Sequence, residues 1–240
     1  LKIGIDPGHQ THANSEREAI APDSSETKAK ATTGTEGRYS GVPEYDLNLR
    51  IALALKSELS VRGYEVLMTR EDNDTAISNQ ERAKMANASG AEACVRIHAN
   101  GSDDSSVSGA LAMAPSEENP YVGKLSAESV RLSQCVLDSY CEQTGLANDG
   151  VIYADDMTGI NFSEIPVTIL EMGYMSNEGD DLYMKAESIK VTSEGSTFDL
   201  IAEDGAKVSC TAQLLGRHNI VNLTAAAALA YKLGMGLDEI

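Results

Sequence analysis

The sequence predicts an α/β fold in which one β-sheet is covered by helices on both faces. Apolar segments of strand length alternate along the chain with longer segments of helical period, an order typical of α/β proteins. The 240 residues, 42% of them hydrophobic, allow one large domain, or one domain with a small additional piece.

The individual elements follow from local patterns. In the first helix, leucines and Ile51 form a broad apolar face and Gly63 is a typical stop. Gly145 ends the longest helix in the same way. The predicted strands are residues 1–7, 64–69, 93–98, 109–114 and 167–171, and the predicted helices are residues 44–62, 78–88 and 126–144.

Residues 10–43 separate the first strand from the first helix without a sustained period. They are rich in Ser, Thr, Ala, Gly and charged residues, with Pro22 and Pro43. We expect a long loop, and loops of this length inside a domain are usually functional or disordered. It could be a lid over a site or a fixed wall.

Charge and hydropathy exclude some classes of partner. The formal net charge is −18, which disfavours nucleic acid and gives no attraction to anionic membranes. No apolar run approaches the roughly 20 residues that span a bilayer. The chain begins with Leu1 inside a predicted strand, so we expect a processed chain from which any export signal has been removed.

The cysteines do not suggest chemistry. Cys94, Cys135, Cys141 and Cys210 show no CxxC spacing, so a thiolate zinc site is not expected and packing is the default role. Cys94 shares a predicted strand with His98, but a spacing of four residues places them roughly 13 Å apart.

Two of the four histidines occupy matching positions. His9 and His98 each follow an apolar segment where small polar residues begin, and Glu171 ends a third such segment. Chemistry in open α/β sheets gathers at the carboxyl ends of strands. The pattern therefore predicts one site, with a shared metal held by the histidines; alternatively, each histidine only hydrogen-bonds a loop.

A catalytic zinc takes three nitrogen or oxygen ligands and leaves one position open. Glu44 is the candidate third ligand because it follows Pro43 and opens a helix, although a carboxylate there could simply complement the helix dipole. Glu171 is the candidate acid/base, because burial would raise its pKa toward neutrality; otherwise it is a surface residue. His12 could be a further ligand but lies in the loop, and Asp6-Pro7 is expected to shape the turn before His9.

Six blocks of the first 184 residues resemble zinc-dependent N-acetylmuramoyl-L-alanine amidases in type and order, with loop features like the clostridial-type branch of sporulation and lysis enzymes. The blocks are residues 6–9 (Asp-Pro-Gly-His), 43–48 (Pro-Glu-Tyr-Asp-Leu-Asn), 69–70 (Thr-Arg), Arg82 with Ala86 and Asn87, 97–100 (Ile-His-Ala-Asn) and 170–177 (Leu-Glu-Met-Gly-Tyr-Met-Ser-Asn).

The resemblance implies a single twisted mixed sheet flanked by helices on both faces. It implies that His9, Glu44 and His98 hold Zn²⁺ and that Glu171 is the catalytic acid/base. The family cleaves the amide between N-acetylmuramic acid and L-alanine in peptidoglycan, which implies an extracellular or cell-wall location. It further suggests that Asn100, Tyr153 and Asn161 line the groove, although Asn100 could equally stabilise the turn after His98.

Residues 185–240 depart from that family and are expected to form a small β-hairpin and helix segment. A Gly-Arg-His-Asn block at 216–219 and an alanine-rich stretch ending at Gly234 resemble part of UDP-N-acetylmuramoyl-tripeptide–D-alanyl-D-alanine ligase. That resemblance implies that His218, Asn219 and Asn222 lie near a nucleotide. The chain has no GxxxxGK[ST] phosphate loop, so neither ATP binding nor ligase activity is predicted.

Three functional hypotheses result: a peptidoglycan amidase with domains 1–184 and 185–240, a peptidoglycan-binding module that has lost turnover, and a nucleotide-handling ligase piece. The sequence leaves open whether an activator protein or a second copy of the chain is needed.

Overall fold

A computed structural model describes residues 1–181, 184–192, 195–202, 206–213 and 236–237. The contacts within the chain divide it into Leu1–Asn177 and Glu178–Ile240. The first unit contains β1 (Lys2–Pro7), β2 (Asn14–Ala19), β3 (Thr27–Ala31), α1 (Glu44–Val61), β4 (Glu65–Met68), α2 (Asn79–Ala88), β5 (Ala93–Asn100), β6 (Ala110–Ala114), a 3₁₀ turn (Gly123–Leu125), α3 (Ser126–Thr144), β7 (Asn148–Tyr153), α4 (Thr158–Asn161) and β8 (Val167–Tyr174).

The first unit is built on a six-stranded sheet in the order β4-β1-β5-β8-β6-β7. Neighbouring strands run parallel except β6 and β8, which are antiparallel. The prediction of a mixed sheet with helices on both faces is confirmed. No described helix is long and apolar enough to cross a membrane.

Side chains alternate between the two faces of the sheet because successive residues of a strand point in opposite directions. On one face, Val95 and Ile97 of β5 join a buried cluster with Ala52 of α1 and Leu137 of α3. On the other face, Cys94 of β5 joins a cluster with residues of α2 and α4. Arg96 and His98 share this second face with Cys94, and it is the face that carries the candidate chemistry.

Local sequence explains where several elements begin and end. Ser78 and Glu81 form a reciprocal capping box at the start of α2, which satisfies backbone donors that the helix leaves unpaired. Gly145 ends α3 with φ 76°, a left-handed conformation that glycine adopts without a Cβ penalty. The predicted bounds of α3 match the structure, and those of α1, α2 and β4 to β6 differ by a residue or two.

The prediction of a structureless 10–43 segment is wrong in part. Strands β2 and β3 pair antiparallel within it, with Arg17 opposite Ala29 and Ala19 opposite Thr27. The strands are mostly polar, so they give no apolar alternation for sequence reasoning to detect. The prediction that β8 ends at Glu171 is also wrong, because this strand continues to Tyr174.

The second unit contains α5 (Glu178–Asp181), β9 (Met184–Thr192), β10 (Gly195–Ala202) and β11 (Lys207–Ala212). The three strands form an antiparallel sheet in the order β11-β10-β9, where a hairpin was expected. Phe198 and Leu200 are its buried centre. The predicted alanine-rich helix and the candidate nucleotide residues His218, Asn219 and Asn222 lie outside the described residues.

Candidate metal centre

The three predicted ligands converge in the structure. Nε2 of His9 lies 3.1 Å from Oε1 of Glu44, and Nδ1 of His98 lies 3.3 Å from the same oxygen. The two ring nitrogens are 3.2 Å apart. These three residues, two partly buried and one buried, form the group in the described part of the chain that could hold a metal ion.

The triangle of donor atoms fits zinc. Zinc ligands of nitrogen and oxygen type lie about 2.0–2.1 Å from the ion, so the edges of a tetrahedral site are roughly 3.3 Å long. The observed separations of 3.1–3.3 Å match one face of such a tetrahedron. Two imidazoles and one carboxylate also form a typical donor set for a catalytic zinc with one open position.

His9 is placed by a turn directly after β1. Its backbone has φ 62°, a left-handed conformation uncommon for residues other than glycine. Nδ1 of its ring lies 2.8 Å from the hydroxyl oxygen of Thr32, which leaves Nε2 directed at the other two candidate ligands. An outer hydrogen bond of this kind fixes the orientation of a metal-binding imidazole.

Two glycines give the ligands room. A Cβ on Gly8 would lie 2.2 Å from Cε1 of His98. A Cβ on Gly34 would lie 2.4 Å from Oε2 of Glu44, and Gly34 also has φ 76°. Any larger residue at either position would displace a candidate ligand.

Glu44 is the first residue of α1 and is held by several donors. Its Oε2 accepts a hydrogen bond from the backbone N–H of Thr35 at 2.8 Å. Its Oε1 accepts from Asn48 Nδ2 at 3.3 Å and from the backbone N–H of Ala99 at 3.2 Å. Burial by itself would raise the pKa of this carboxyl, but the hydrogen bonds and electrostatic interactions with His9 and His98 hold it well below its ordinary value. The group is therefore an anion suited to a cation.

His98 is neutral at physiological pH. Burial lowers the pKa of this imidazole to about 4, against an opposing contribution from Glu44. A neutral imidazole is the form that binds metal ions.

Glu171 lies beside His98, because the two residues are register partners on the parallel strands β5 and β8. Its Oε2 is buried and has no hydrogen-bond partner among the described residues. Burial, followed by the nearby charge of Glu44, raises the pKa of Glu171 to about 8. A carboxyl group tuned close to neutral pH can both accept and return a proton.

A buried network of arginines supports the turn at His9. Asp6 accepts hydrogen bonds from Arg82 at 2.8 Å and from Arg96 at 2.7 Å. Arg82 also donates to the carbonyl oxygens of Pro7 and His9, and Arg70 donates to those of Pro7 and Gly8. Asp6 thus shapes the turn through these arginines, as expected. The sequence pattern assigned no role to Arg70 and Arg82, although both lie in the blocks that carry the amidase resemblance.

The remaining candidates lie elsewhere. His12 is exposed and stands outside the cluster of candidate ligands. Asn100 accepts a hydrogen bond from the N–H of Gly101, while Tyr153 is 63% exposed on β7. Asn161 is buried and bonds to Asn119 and to the carbonyl oxygen of Asp155. Burial raises the pKa of the Cys94 thiol to about 12, so it is no nucleophile at neutral pH.

The fold and the cluster define an α/β protein in which two histidines and one carboxylate form a candidate metal site beside a buried carboxylic acid. The chain matches the N-acetylmuramoyl-L-alanine amidase family over residues 3–201 and belongs to that family. It is similar to the N-acetylmuramoyl-L-alanine amidase Rv3717 of Mycobacterium tuberculosis, with 27% identity over 191 residues that cover 78% of each protein.

The fold is also similar to that of a solved amidase structure. The apo form of the N-acetylmuramyl-L-alanine amidase Ami1 from Mycobacterium abscessus has a TM-score of 0.67 and 25% identity, and the match covers 75% of this chain and 86% of that one. A shorter similarity is to UDP-N-acetylmuramoyl-tripeptide–D-alanyl-D-alanine ligase of Haemophilus influenzae, 44% identical over 55 residues, or 23% of this chain and 12% of the ligase.

Proposed function

We propose that this chain is a zinc-dependent hydrolase that cleaves the amide between N-acetylmuramic acid and L-alanine in peptidoglycan. The observation that carries the proposal is the triangle of His9, Glu44 and His98 donor atoms, with edges of 3.1–3.3 Å, next to the buried Glu171. Family membership selects the amide bond among the bonds that such a site could hydrolyse.

His9, Glu44 and His98 would hold the zinc ion. When bound, zinc supplies Lewis-acid polarisation of a carbonyl and lowers the pKa of water to about 7. Glu44 contributes the negative charge of the site, while the neutral His98 leaves the cluster with net positive charge toward a developing oxyanion once a divalent cation is present.

Glu171 would take the proton of the attacking water and return it to the nitrogen of L-alanine as the amide bond breaks. Both steps need a group whose pKa lies near the working pH, and burial of Glu171 raises the pKa of its carboxyl group in that direction. Its unpartnered Oε2 is available for that proton because no described side chain occupies it.

The proposal extends to the organisation of the chain. It assigns residues 1–184 to a catalytic domain and residues 185–240 to a partial ligase-like segment. The candidate ligands and Glu171 all lie within Leu1–Asn177. The substrate places the proposed enzyme at the cell wall, outside the cytoplasmic membrane.

Mass spectrometry of purified peptidoglycan incubated with the full chain tests the proposal, with added zinc and, in parallel, with a chelator. We expect release of stem peptides that begin with L-alanine, and loss of this release with the chelator. A zinc-loaded chain that releases no peptide would contradict the hydrolase and favour a binding module. Release that persists with chelator, at full rate and in the absence of measurable metal, would contradict the zinc mechanism.

A further inference from the structure

A cavity of about 370 Å³ opens directly beside the candidate metal centre. Its walls come from the β2–β3 hairpin, from the sheet face that carries His98, and from the start of α4. The lining includes His9 and His98 together with Arg17, Lys28, Asn79 and Arg96. Whatever part of a substrate enters this cavity is therefore next to the reacting bond.

The charge of the cavity is opposite to that of the chain. The protein has 37 acidic and 19 basic residues and a formal net charge of −18. The charged side chains among the lining residues are nevertheless Arg17, Lys28 and Arg96, all of them basic. A basic cavity in an acidic protein attracts an anionic group of a ligand.

Two of these cations are already paired. Nε of Arg96 bonds to Asp6 at 2.7 Å, and its Nη2 bonds to the amide oxygen of Asn79 at 3.1 Å. Lys28 pairs with Asp156 at 2.6 Å, in a bridge whose side chains are 42% and 64% exposed. Arg96 is thus held in the buried network around Asp6. The charge of Lys28 is only partly neutralised, because solvent screens its interaction with the exposed Asp156.

Arg17 differs from the other two. Its described hydrogen bonds go to the hydroxyl and the carbonyl oxygen of Thr27, which are neutral acceptors. Among the described residues no carboxylate lies within ion-pair distance of its guanidinium. A guanidinium has five donors in a planar fork that suits a carboxylate, so Arg17 keeps both charge and donors for a ligand.

The hairpin holds Arg17 in a defined place. The adjacent Glu18 is buried, and its Oε1 accepts a hydrogen bond from the N–H of Gln80 at the start of α2 at 3.1 Å. Asn79 donates to the carbonyl oxygen of Lys30 at 3.2 Å on the second strand. Both strands are therefore attached to α2, and the cavity wall that carries Arg17 is fixed to the domain.

We propose that this cavity is a subsite for a carboxylate of the stem peptide, with Arg17 as its main binding residue and Lys28 as a second cation. The inference rests on the proposed amidase function. In a muramyl peptide the residue after L-alanine is D-glutamate, whose α-carboxyl group is either free or amidated. That group lies about one residue, roughly 3.5 Å of chain, beyond the L-alanine, so it can enter a cavity that adjoins the metal ligands.

The test compares two substrates that differ in this group alone: N-acetylmuramoyl-L-alanyl-γ-D-glutamyl-L-lysine and the same compound with the α-carboxyl group of its glutamyl residue amidated. For the zinc-loaded full chain we expect kcat/KM to favour the free carboxylate roughly tenfold, the size of one charge-assisted hydrogen bond at a partly exposed site. Arg17→Gln should reduce this preference to within about twofold. Arg62→Gln, at the far end of α1, is the matched control and should leave it unchanged.

Binding of the product peptides, L-alanyl-γ-D-glutamyl-L-lysine and its glutamyl α-amide, is measured by calorimetry on the same variants. This arm separates the two proposals. Absence of turnover together with a carboxylate preference that Arg17→Gln abolishes would overturn the amidase and support the subsite. Turnover and binding that do not distinguish the two compounds, or a preference unchanged in Arg17→Gln, would overturn the subsite.

Discussion

The two walls of the site are held by different kinds of interaction. The turn that carries His9 rests on buried charges: Asp6, Arg82 and Arg96 are each at most 5% exposed. The hairpin that carries Arg17 is attached to α2 through hydrogen bonds of Glu18 and Asn79, and its charged side chain Lys28 is paired with Asp156 only in an exposed ion pair. Removing one partner of a buried ion pair lowers the free energy of unfolding strongly, whereas an exposed ion pair contributes little to it. We therefore expect changes around the turn that carries His9 (the first wall) to lower metal affinity and stability. Changes in the hairpin that carries Arg17 (the second wall) should alter substrate preference.

The largest effects should come from the chemical groups themselves. Glu44→Gln should weaken zinc binding and abolish turnover, because it removes the anion of the ligand set.

Glu171→Gln should reduce kcat by about 10²–10⁴, the range for a general acid/base, while zinc remains stoichiometric by elemental analysis. Zinc loss in Glu171→Gln, or a full rate, would show that the roles of the two carboxylates are assigned wrongly.

The next largest effect is expected on the free energy of unfolding when the buried network around Asp6 is changed. Asp6→Asn leaves Arg82 and Arg96 without their shared anion and should lower the free energy of unfolding by about 3–5 kcal/mol, as measured by urea denaturation. Asp156→Asn, at the exposed pair, should change it by at most about 1 kcal/mol. If Asp6→Asn is too unstable to isolate, Thr69→Val, which removes a hydrogen bond to Asp6, gives a smaller loss that still tests the network. Equal stabilities of the Asp6 and Asp156 variants would contradict the contrast between the two walls.

The same network predicts how acid unfolds the protein. Despite desolvation, Arg82 and Arg96 hold the pKa of Asp6 far below its ordinary value. A carboxyl group with a lowered folded-state pKa stabilises the protein above its unfolded-state pKa, about 3.9, and this contribution is lost as pH falls below that value. Wild type should thus lose more stability than Asp6→Asn between pH 4 and pH 2 in urea titrations.

The outer support of the ligands should affect metal affinity without altering any ligand. Gly34→Ala places a Cβ 2.4 Å from Oε2 of Glu44 and should weaken zinc binding about 10–100-fold, as for other outer-shell changes. Gly41→Ala is a matched control, because Gly41 also has positive φ, 66°, but has no heavy atom near the position of a new Cβ. Equal zinc affinities in competition titrations would mean that backbone strain, rather than displacement of Glu44, explains any effect.

A further pH effect isolates Glu171 in the metal-free protein. Its folded-state pKa is raised to about 8, whereas an unfolded Glu titrates near 4.3. Between these values the native state binds more protons than the unfolded state, so stability should fall as pH rises. His98, with a pKa lowered to about 4, has the opposite effect below about 6.5. Between pH 6.5 and 8, urea midpoints with chelator present should therefore decline in wild type and be flatter in Glu171→Gln.

The parts of this site that sequence predicts are those that local patterns specify. His9, His98 and Glu171 follow or end apolar segments, and Glu44 opens a helix, so strand ends and a helix start were enough to select them. The end of a strand was harder to predict. Strand β8 continues through Met172 and Gly173 to Tyr174, because β5 pairs with it as far as Asn100.

The parts that sequence does not predict depend on contacts between distant residues. Arg70 and Arg82 reach the turn at His9 from more than 60 positions away, and no local period marks an arginine as buried. The β2–β3 hairpin is equally hidden, because its inward residue on β2 is the acidic Glu18 rather than an apolar side chain. Arg17 and Lys28 consequently read as ordinary charges of a polar loop until the pairing of the two strands is known.

The smallest effect gives the sharpest test of the second wall. Asp156→Asn removes the partner of Lys28 and leaves its ammonium group to a ligand. We expect the preference for the free carboxylate over the amide to rise about two- to threefold, the modest scale of a screened surface interaction, with unchanged zinc content. Lys28→Gln should lower the preference, but less than Arg17→Gln does, since Arg17 faces no opposing carboxylate among the described residues. A preference that falls in Asp156→Asn would mean that Asp156 positions the hairpin through Lys28, and the wall would then act through its rigidity rather than its charge.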